Sequence, residues 1–410
     1  MLTELFTLGD LYVSDFLATD EAPVTPPSPL RVMMDDVTSE VRLERPVDPH
    51  LMYGRYWYRS GTNATMTREL KDVVDSVLRV KQDLAGGVWL DIASNDGTLL
   101  SHVPGDMFRV GIDPADQSFV RECRAHADAV IQDFFSAEAY QRVAPAHRSG
   151  RRADVVTCIA MFYDLDDPDP FLADVREVLA DDGVFVLQMS YSPLMLAQVA
   201  FDNICHEHVF YYTLSTLQAR LAKAGFRVVD CQLNDVNGGS FRVYATKNEA
   251  DPTKFGTQPY RDVCRFRVEQ TLDHELVEQW NSPSRWRDFF RRIESLKRQT
   301  VDFVREAKAD GKTVWGYGAS TKGNTLLQYF GLDHTMLDGI AERSHYKFGL
   351  RTVGTDVPIY SEEQMRVDPP DYLLVLPWHF IAEFVQREHR YLEGGGKFVV
   401  PCPEFRVIGA

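Results

Sequence analysis

The sequence predicts an α/β protein with two doubly wound, Rossmann-like sheets and a small N-terminal segment. Three observations carry this prediction. Short apolar strands alternate with helical stretches from about residue 88 onward. Two of those strands open into small-residue loops, Ser94-Asn95-Asp96-Gly97-Thr98 and Gly316-Tyr317-Gly318-Ala319-Ser320-Thr321-Lys322-Gly323. The chain has 410 residues, more than one hydrophobic core holds.

The elements follow in order. Breaker-rich APVTPPSP precedes a hairpin pattern in LRVMMDDVTSEVRLERP. Leu70, Val73, Val74, Val77 and Leu78 share one face of a predicted helix over 65–84. Val88–Ile92, Arg109–Ile112 and Asp154–Ile159 are short apolar strands, each followed by a helical stretch. VREVLADDGVFVLQMS adds a helix, an Asp-Gly turn and a fourth strand. Phe226–Asp230 and Ser240–Ala245 close the first sheet around the turn Asn237-Gly238-Gly239. Residues 250–310 are polar and helical. KTVWGYGASTKGNTLL, DGIAERS, TDVPIY, YLLVLPW and KFVVPCP build the second sheet. The expected division is 1–64 (N-terminal), 65–248 (first sheet), 249–310 (helical connector) and 311–410 (second sheet).

Charge and composition narrow the function. A net charge of −16 argues against nucleic-acid binding, which needs a basic face. The six cysteines are scattered with no CxxC, which fits reduced thiols in the cytoplasm and no metal site. No apolar run reaches membrane-spanning length, and MLTELFTLGDLYVSDFLA lacks a basic signal-peptide start.

The loops carry the chemistry. In VWLDIASNDGTLL a strand ends at Asp91 and its neighbours, then bares backbone amides to a ligand. Asp113, at the tip of the next strand, is placed to accept from both hydroxyls of a ribose. Neither GxGxxG nor GxxxxGK[ST] is present, so a nucleoside with a cationic tail, S-adenosylmethionine, fits best. Asp133 can accept from an adenine amino group, with Phe134 over the ring. In the second sheet the loop amides, the Ser320 hydroxyl and Lys322 can cradle a pyrophosphate, with Arg343, His345 and Lys347 adding charge. His206-Glu207-His208 is not the HExxH of a zinc protease, and a histidine general base fits it better.

These residues together resemble the sugar C-methyltransferases of deoxysugar biosynthesis. The motifs are YRSGTN (58–63), SNDGTLL, NICHEH, LNDVNGGSFRVY (233–244), GYGASTKGNTLL and PDYLLVLPWH (370–379), spanning about 53–406. The resemblance implies a class I methyltransferase sheet and a C-terminal nucleotide-sugar-binding sheet. It implies methylation of a ring carbon beside the ketone of a nucleotide-linked 4-keto-6-deoxysugar, most often a dTDP-sugar. His208 would be the base, with Glu207 beside it to orient or polarise, and the tyrosines of Tyr56-Trp57-Tyr58 would border the methyl-transfer site. On chemical grounds His206 or a tyrosine of 56–58 can donate to the enolate oxygen. Tyr56, Ser60, Asp91, Ala93, Asn95, Gly97, Asp113, Asp133 and Phe134 would hold S-adenosylmethionine. Asp164, Cys205, Asn237, Ser320, Lys322, Arg343 and Lys347 would hold the substrate.

Four departures stand out. The zinc-binding CxxC pairs usual at the N-terminus are missing, the second replaced near Asp35 and Thr38. Cys205 stands where Tyr is common, and Asp164 where His is. Ala93 replaces a common Gly. The alternatives are O- or N-methylation of a related metabolite, or a non-catalytic nucleotide-sugar-binding partner.

Overall fold

The computed structural model describes residues 1–53, 57–81, 84–143 and 152–409. The strands, in chain order, are β1 Leu2–Leu11, β2 Phe16–Leu17, β3 Ser28–Asp35, β4 Val41–Leu43, β5 Val88–Ile92, β6 Phe108–Ile112, β7 Ala129–Ile131, β8 Ala153–Ile159, β9 Leu179–Ser190, β10 Phe210–Tyr211, β11 Phe226–Asn234, β12 Ser240–Lys247, β13 Val314–Tyr317, β14 Ile340–Glu342, β15 Arg351–Thr352, β16 Ile359–Ser361, β17 Tyr372–Val375, β18 Lys397–Val400 and β19 Arg406–Ile408. They divide between two compact units.

One unit comprises Asp48–Ser192 and Val209–Trp280. Its sheet runs β11-β12-β9-β8-β5-β6-β7. β9, β8, β5, β6 and β7 are parallel, while β12 pairs antiparallel with both β9 and β11. The chain moves outward from β5 to β7, then returns to β8. That reversal leaves a crevice at the carboxyl ends of β5 and β8, where ligands of such sheets bind. Helix Ala64–Val80 starts on Asn63, whose side chain accepts from Thr65 N and Met66 N. It buries Leu70, Val73, Val74 and Val77 against Trp89, Val155, Val184 and Tyr244. Helix Gln258–Glu278 packs on β11, where Arg267 pairs with the buried Asp230 at 2.6 Å. From this helix, buried Glu275 accepts from Leu214 N and Ser215 N, and so caps helix Leu214–Lys223 with negative charge.

The other unit comprises Met1–Val47, Pro193–His208 and Asn281–Ala410. Its main sheet runs β16-β14-β13-β17-β18-β19, parallel except for β19. The reversal recurs, with β14 on one side of β13 and β17 on the other. The N-terminal segment is built into this unit. β1, β3 and β4 form an antiparallel sheet, and β2 pairs with β15. Tyr12 N donates to Gln328 Oε1 at 2.8 Å, and Asn324 Nδ2 donates to Asp15 O at 2.9 Å. Phe6 stacks on Phe290 of helix Pro283–Ala309, with ring centroids 4.9 Å apart. Asp35, at the missing cysteine pair, organises the β3–β4 turn by accepting from Val37 N and Thr38 N.

The division differs from the one read along the sequence. Residues 249–310 are not a separate connector. Helix Gln258–Glu278 belongs to the first unit and helix Pro283–Ala309 to the second. Residues 193–208 leave the first unit, because Phe201 stacks on Phe330 and Arg292 donates to the carbonyls of Leu196 and Ala197. Among the described residues, no helix is long and apolar enough to cross a membrane.

Candidate active site

In the β5 unit the cofactor loop is a chain of left-handed turns. Ala93, Asn95 and Gly97 have φ of 58°, 51° and 80°. The amides of Ala93 and Ser94 donate to Ile112 O, so the loop leans over the end of β6. There Asp113 receives Asn95 N on Oδ2 and Ala115 N on Oδ1, each at 2.8 Å. Both oxygens are thus oriented by the main chain, each with a lone pair left over for a ribose hydroxyl. Burial raises the Asp113 carboxyl, while these two bonds lower it.

Asp91 lies under the same loop and is buried. Its Oδ1 accepts from Thr157 Oγ1 at 2.6 Å. Burial, with Asp113 and Asp96 adding negative charge, pushes it up to about 7. A buried carboxyl of this kind awaits a cation, and the fit to a sulfonium-bearing amino acid is good.

The segment before helix Ala64–Val80 closes on this loop. Asn95 donates through Nδ2 to Tyr58 O and accepts Ser60 N on Oδ1, and Asp96 accepts Gly61 N at 2.7 Å. A Cβ on Gly61 would meet Thr98 Oγ1 at 2.9 Å, so the approach needs glycine. Tyr58 and Ser60 thus reach the cofactor loop, while Tyr56 lies outside the described residues. Asp96 and Gly61 were missed by sequence reasoning, although both lie inside the motifs it quoted. Asp133 caps Phe134 N and pairs with Arg142, and the Phe134 ring meets His50 edge-on at 5.0 Å. Asn237, at φ 54°, lines a small cavity with Met66, Ile159, Tyr163 and Gln188 at the carboxyl ends of β8 and β9. Asp164 sits in the short helix Phe162–Asp164 next to Tyr163.

In the other unit, the short 3-10 helix Phe201–Asn203 ends just before residues 204–208, which turn without regular structure, so neither strand nor helix spacing applies to the two histidines. His208 is buried, and its Nδ1 bonds Asn203 O at 2.8 Å. A carbonyl only accepts, so the neutral ring carries its proton on Nδ1 and its lone pair on Nε2. Burial, then the nearby Lys322 cation, hold this imidazole well below its usual range, against the Asn203 carbonyl.

His206 bonds Ser28 O through Nε2 at 3.0 Å. Burial lowers its pKa too, and a neutral ring has one N–H, which here goes to Ser28. The expected role of His206 as a donor to the reacting oxygen therefore lacks the hydrogen for it. Glu207 Oε2 is buried with no hydrogen-bond partner among the described residues. The Cys205 thiol is buried and points to Asn203 O at 3.8 Å.

The expected diphosphate residues have internal partners. Ser320 Oγ accepts Gly323 N at 2.9 Å and caps helix Thr321–Phe330. Lys322 Nζ donates to Asn203 Oδ1 at 2.6 Å. Lys347 is buried over the Phe16 ring and donates to Ala319 O at 2.7 Å. Arg343 lies 3.8 Å from Glu383. Glu342, which sequence reasoning missed, accepts Ala319 N at 2.6 Å from the tip of β14. It repeats, in the second sheet, the arrangement of Asp113 with Asn95. The signal was available: an acid ends the strand after a small-residue loop in both sheets. His379, after β17, is a further missed imidazole, held down to about 3 by desolvation and by Lys322.

Comparison with known proteins shows the family of the chain. Residues 63–230 match the methyltransferase domain family, and residues 235–403 match the C-methyltransferase C-terminal domain. C-methyltransferase NovU of Streptomyces niveus is 32% identical over 374 residues, covering 90% of this chain and 84% of that protein. Among solved structures, magnesium protoporphyrin IX methyltransferase from Synechocystis PCC 6803 with bound SAH aligns at a TM-score of 0.35 and 13% identity, over 48% of this chain and 90% of that one. CalO1, a methyltransferase in calicheamicin biosynthesis, aligns at a TM-score of 0.33 and 15% identity, over 45% of this chain and 55% of that one. The chain belongs to the S-adenosylmethionine-dependent C-methyltransferases.

Proposed function

We propose that the protein methylates a ring carbon beside the ketone of a nucleotide-linked 4-keto-6-deoxysugar, a dTDP-sugar by preference, in the cytoplasm. His208 is the base. The observation that carries this reading is the state of its ring: buried, neutral, and with its proton held on Nδ1 by Asn203 O. Such a ring presents Nε2 as a proton acceptor at neutral pH.

A carbon next to a ketone is acidic because its anion delocalises onto oxygen. His208 Nε2 takes that proton, and the resulting enolate carbon forms a bond to the methyl group. S-adenosylmethionine supplies that methyl on a positively charged sulfur and leaves as the neutral thioether. Asp113 takes the ribose hydroxyls, Asp91 faces the cationic end, and Asp133 with Phe134 takes the adenine. Glu207 offers Oε2, which has no hydrogen-bond partner among the described residues, to a sugar hydroxyl. A tyrosine of 56–58, of which Tyr58 is described, is the donor to the enolate oxygen, since His206 is engaged with Ser28. Asn237 and Asp164 border the sugar. The loop after β13, with Ser320, Arg343 and Lys347 around it, receives the nucleotide diphosphate.

The test is solvent exchange. A dTDP-4-keto-6-deoxysugar incubated with enzyme in D₂O, without methyl donor, acquires deuterium beside the ketone. His208→Gln lowers that exchange by about 10²–10⁴-fold. Methyl transfer to a sugar oxygen, with no deuterium incorporated, would replace this reading with O-methylation.

A further inference from the structure

Lys322 lies in the first turn of helix Thr321–Phe330, where a phosphate ligand is the obvious role for it. Its partner in the structure points elsewhere. Nζ donates to Asn203 Oδ1 at 2.6 Å, and the carbonyl of the same Asn203 bonds His208 Nδ1 at 2.8 Å. Asn203 is 1% exposed, and its Nδ2 donates to Ala200 O at 3.1 Å. Both ends of the side-chain amide therefore have a partner of the correct polarity, which fixes its orientation. One buried residue links a cation to an imidazole.

We infer that Lys322 is a positioning residue for His208. It locks Asn203, whose carbonyl keeps the His208 proton on Nδ1, and its charge opposes a second proton on Nε2. The inference rests on the base assignment made above.

The other titratable groups around His208 do not supply this effect. Glu207, in the same turn, would favour the imidazolium if ionised. Asp202 is buried near Lys322, and desolvation raises its carboxyl above the ordinary range, which weakens its pull. His379, from the loop after β17, stays neutral and adds no charge. His206 is likewise neutral and bonded to Ser28. Lys322 is the cation among them, and a charge acts strongly at short range in a dry site.

The experiment compares the full chain with Lys322→Met and Lys322→Arg. Histidine-selective ¹⁵N labelling reads the protonation of His208 directly, without turnover. The expected result is the Nδ1-protonated neutral ring down to low pH in the parent and in Lys322→Arg. In Lys322→Met the ring takes up a proton at least one pH unit higher. With a 4-keto sugar substrate, the acid limb of kcat moves upward in Lys322→Met. The loss is about tenfold at the foot of the limb and small on the alkaline plateau. Affinity for S-adenosylmethionine stays the same in all three and reports that the fold is intact.

An unchanged His208 ring in Lys322→Met overturns the inference. So does a loss confined to KM with an unmoved acid limb, which would return Lys322 to the diphosphate. A shifted ring with an unmoved acid limb would leave Lys322 positioning His208 and remove His208 from the base role.

Discussion

On the proposed reading, Asp91 couples cofactor binding to pH. Its folded carboxyl titrates near 7, against 3.8 in an open chain. Between those values the folded protein holds a proton that the unfolded chain has lost. Stability from this group therefore falls as pH rises through the window, and the penalty is complete above about 7. A bound cation reverses the preference. Titration calorimetry at pH 6, in buffers of different ionisation enthalpy, should show release of up to about one proton when S-adenosylmethionine binds. The release should vanish in Asp91→Asn, and buffer-independent heats in the parent would refute the assignment. At this scale the places of Asp91 and Asp113 at the ends of β5 and β6 were legible in the sequence. It was silent where the partner is a main-chain carbonyl. Nothing in NICHEH says that His208 bonds Asn203 O, or that His206 bonds the carbonyl of Ser28, 178 residues away.

Among the elements, the cofactor loop is the most constrained. Gly97 has φ 80°, and a Cβ there would lie 2.8 Å from Cys123 Cα. Helix Gln117–Cys123 therefore approaches the loop as closely as glycine permits. Gly97→Ala combines backbone strain with a clash against main chain. It should lower stability by about 2–4 kcal/mol and weaken cofactor binding with it, measured by denaturant melts with and without S-adenosylmethionine. A melt equal to the parent's would show that the helix can retreat. The elements themselves were largely legible. Periodicity placed Ala64–Val80 and most strands of both sheets within a few residues, while the edge strands β7 and β19, three residues each, carry too little pattern to be read as strands. β9 runs longer than its pattern because the Asp181-Asp182-Gly183 stretch, read as a turn, stays extended with a register shift against β8. The register shift accommodates residues that look like a turn in isolation.

The whole molecule was less legible than its parts. Both sheets and their order of appearance follow from the pattern of strands and loops. The assignment of segments to units does not, because it depends on contacts between residues hundreds of positions apart. The chain passes between the two units after Val47, Ser192, His208 and Trp280, so neither unit is a continuous stretch. A fragment of residues 281–410 contains the complete second sheet. It lacks β1–β4 and residues 193–208, which cover Phe289, Phe290, Phe330 and Lys347. That fragment should show no cooperative thermal transition by circular dichroism, whereas the full chain should. A sharp melt for the fragment would mean that the N-terminal strands decorate the unit without completing it.

The bond between Tyr12 and Gln328, 316 residues apart, also sets a schedule for synthesis. At about 5–20 residues per second, the first strands wait roughly 15–60 seconds on the ribosome for their neighbours to be made. Throughout that interval the inward face of β1, with Leu5, Phe6 and Leu8, has nothing to pack on from helix Pro283–Ala309. The intervening unit can fold first, leaving the opening strands as the last to settle. Premature termination after Trp280 but before that helix is complete thus yields a product with a folded middle and a sticky end, a form suited to capture by chaperones and removal by proteases.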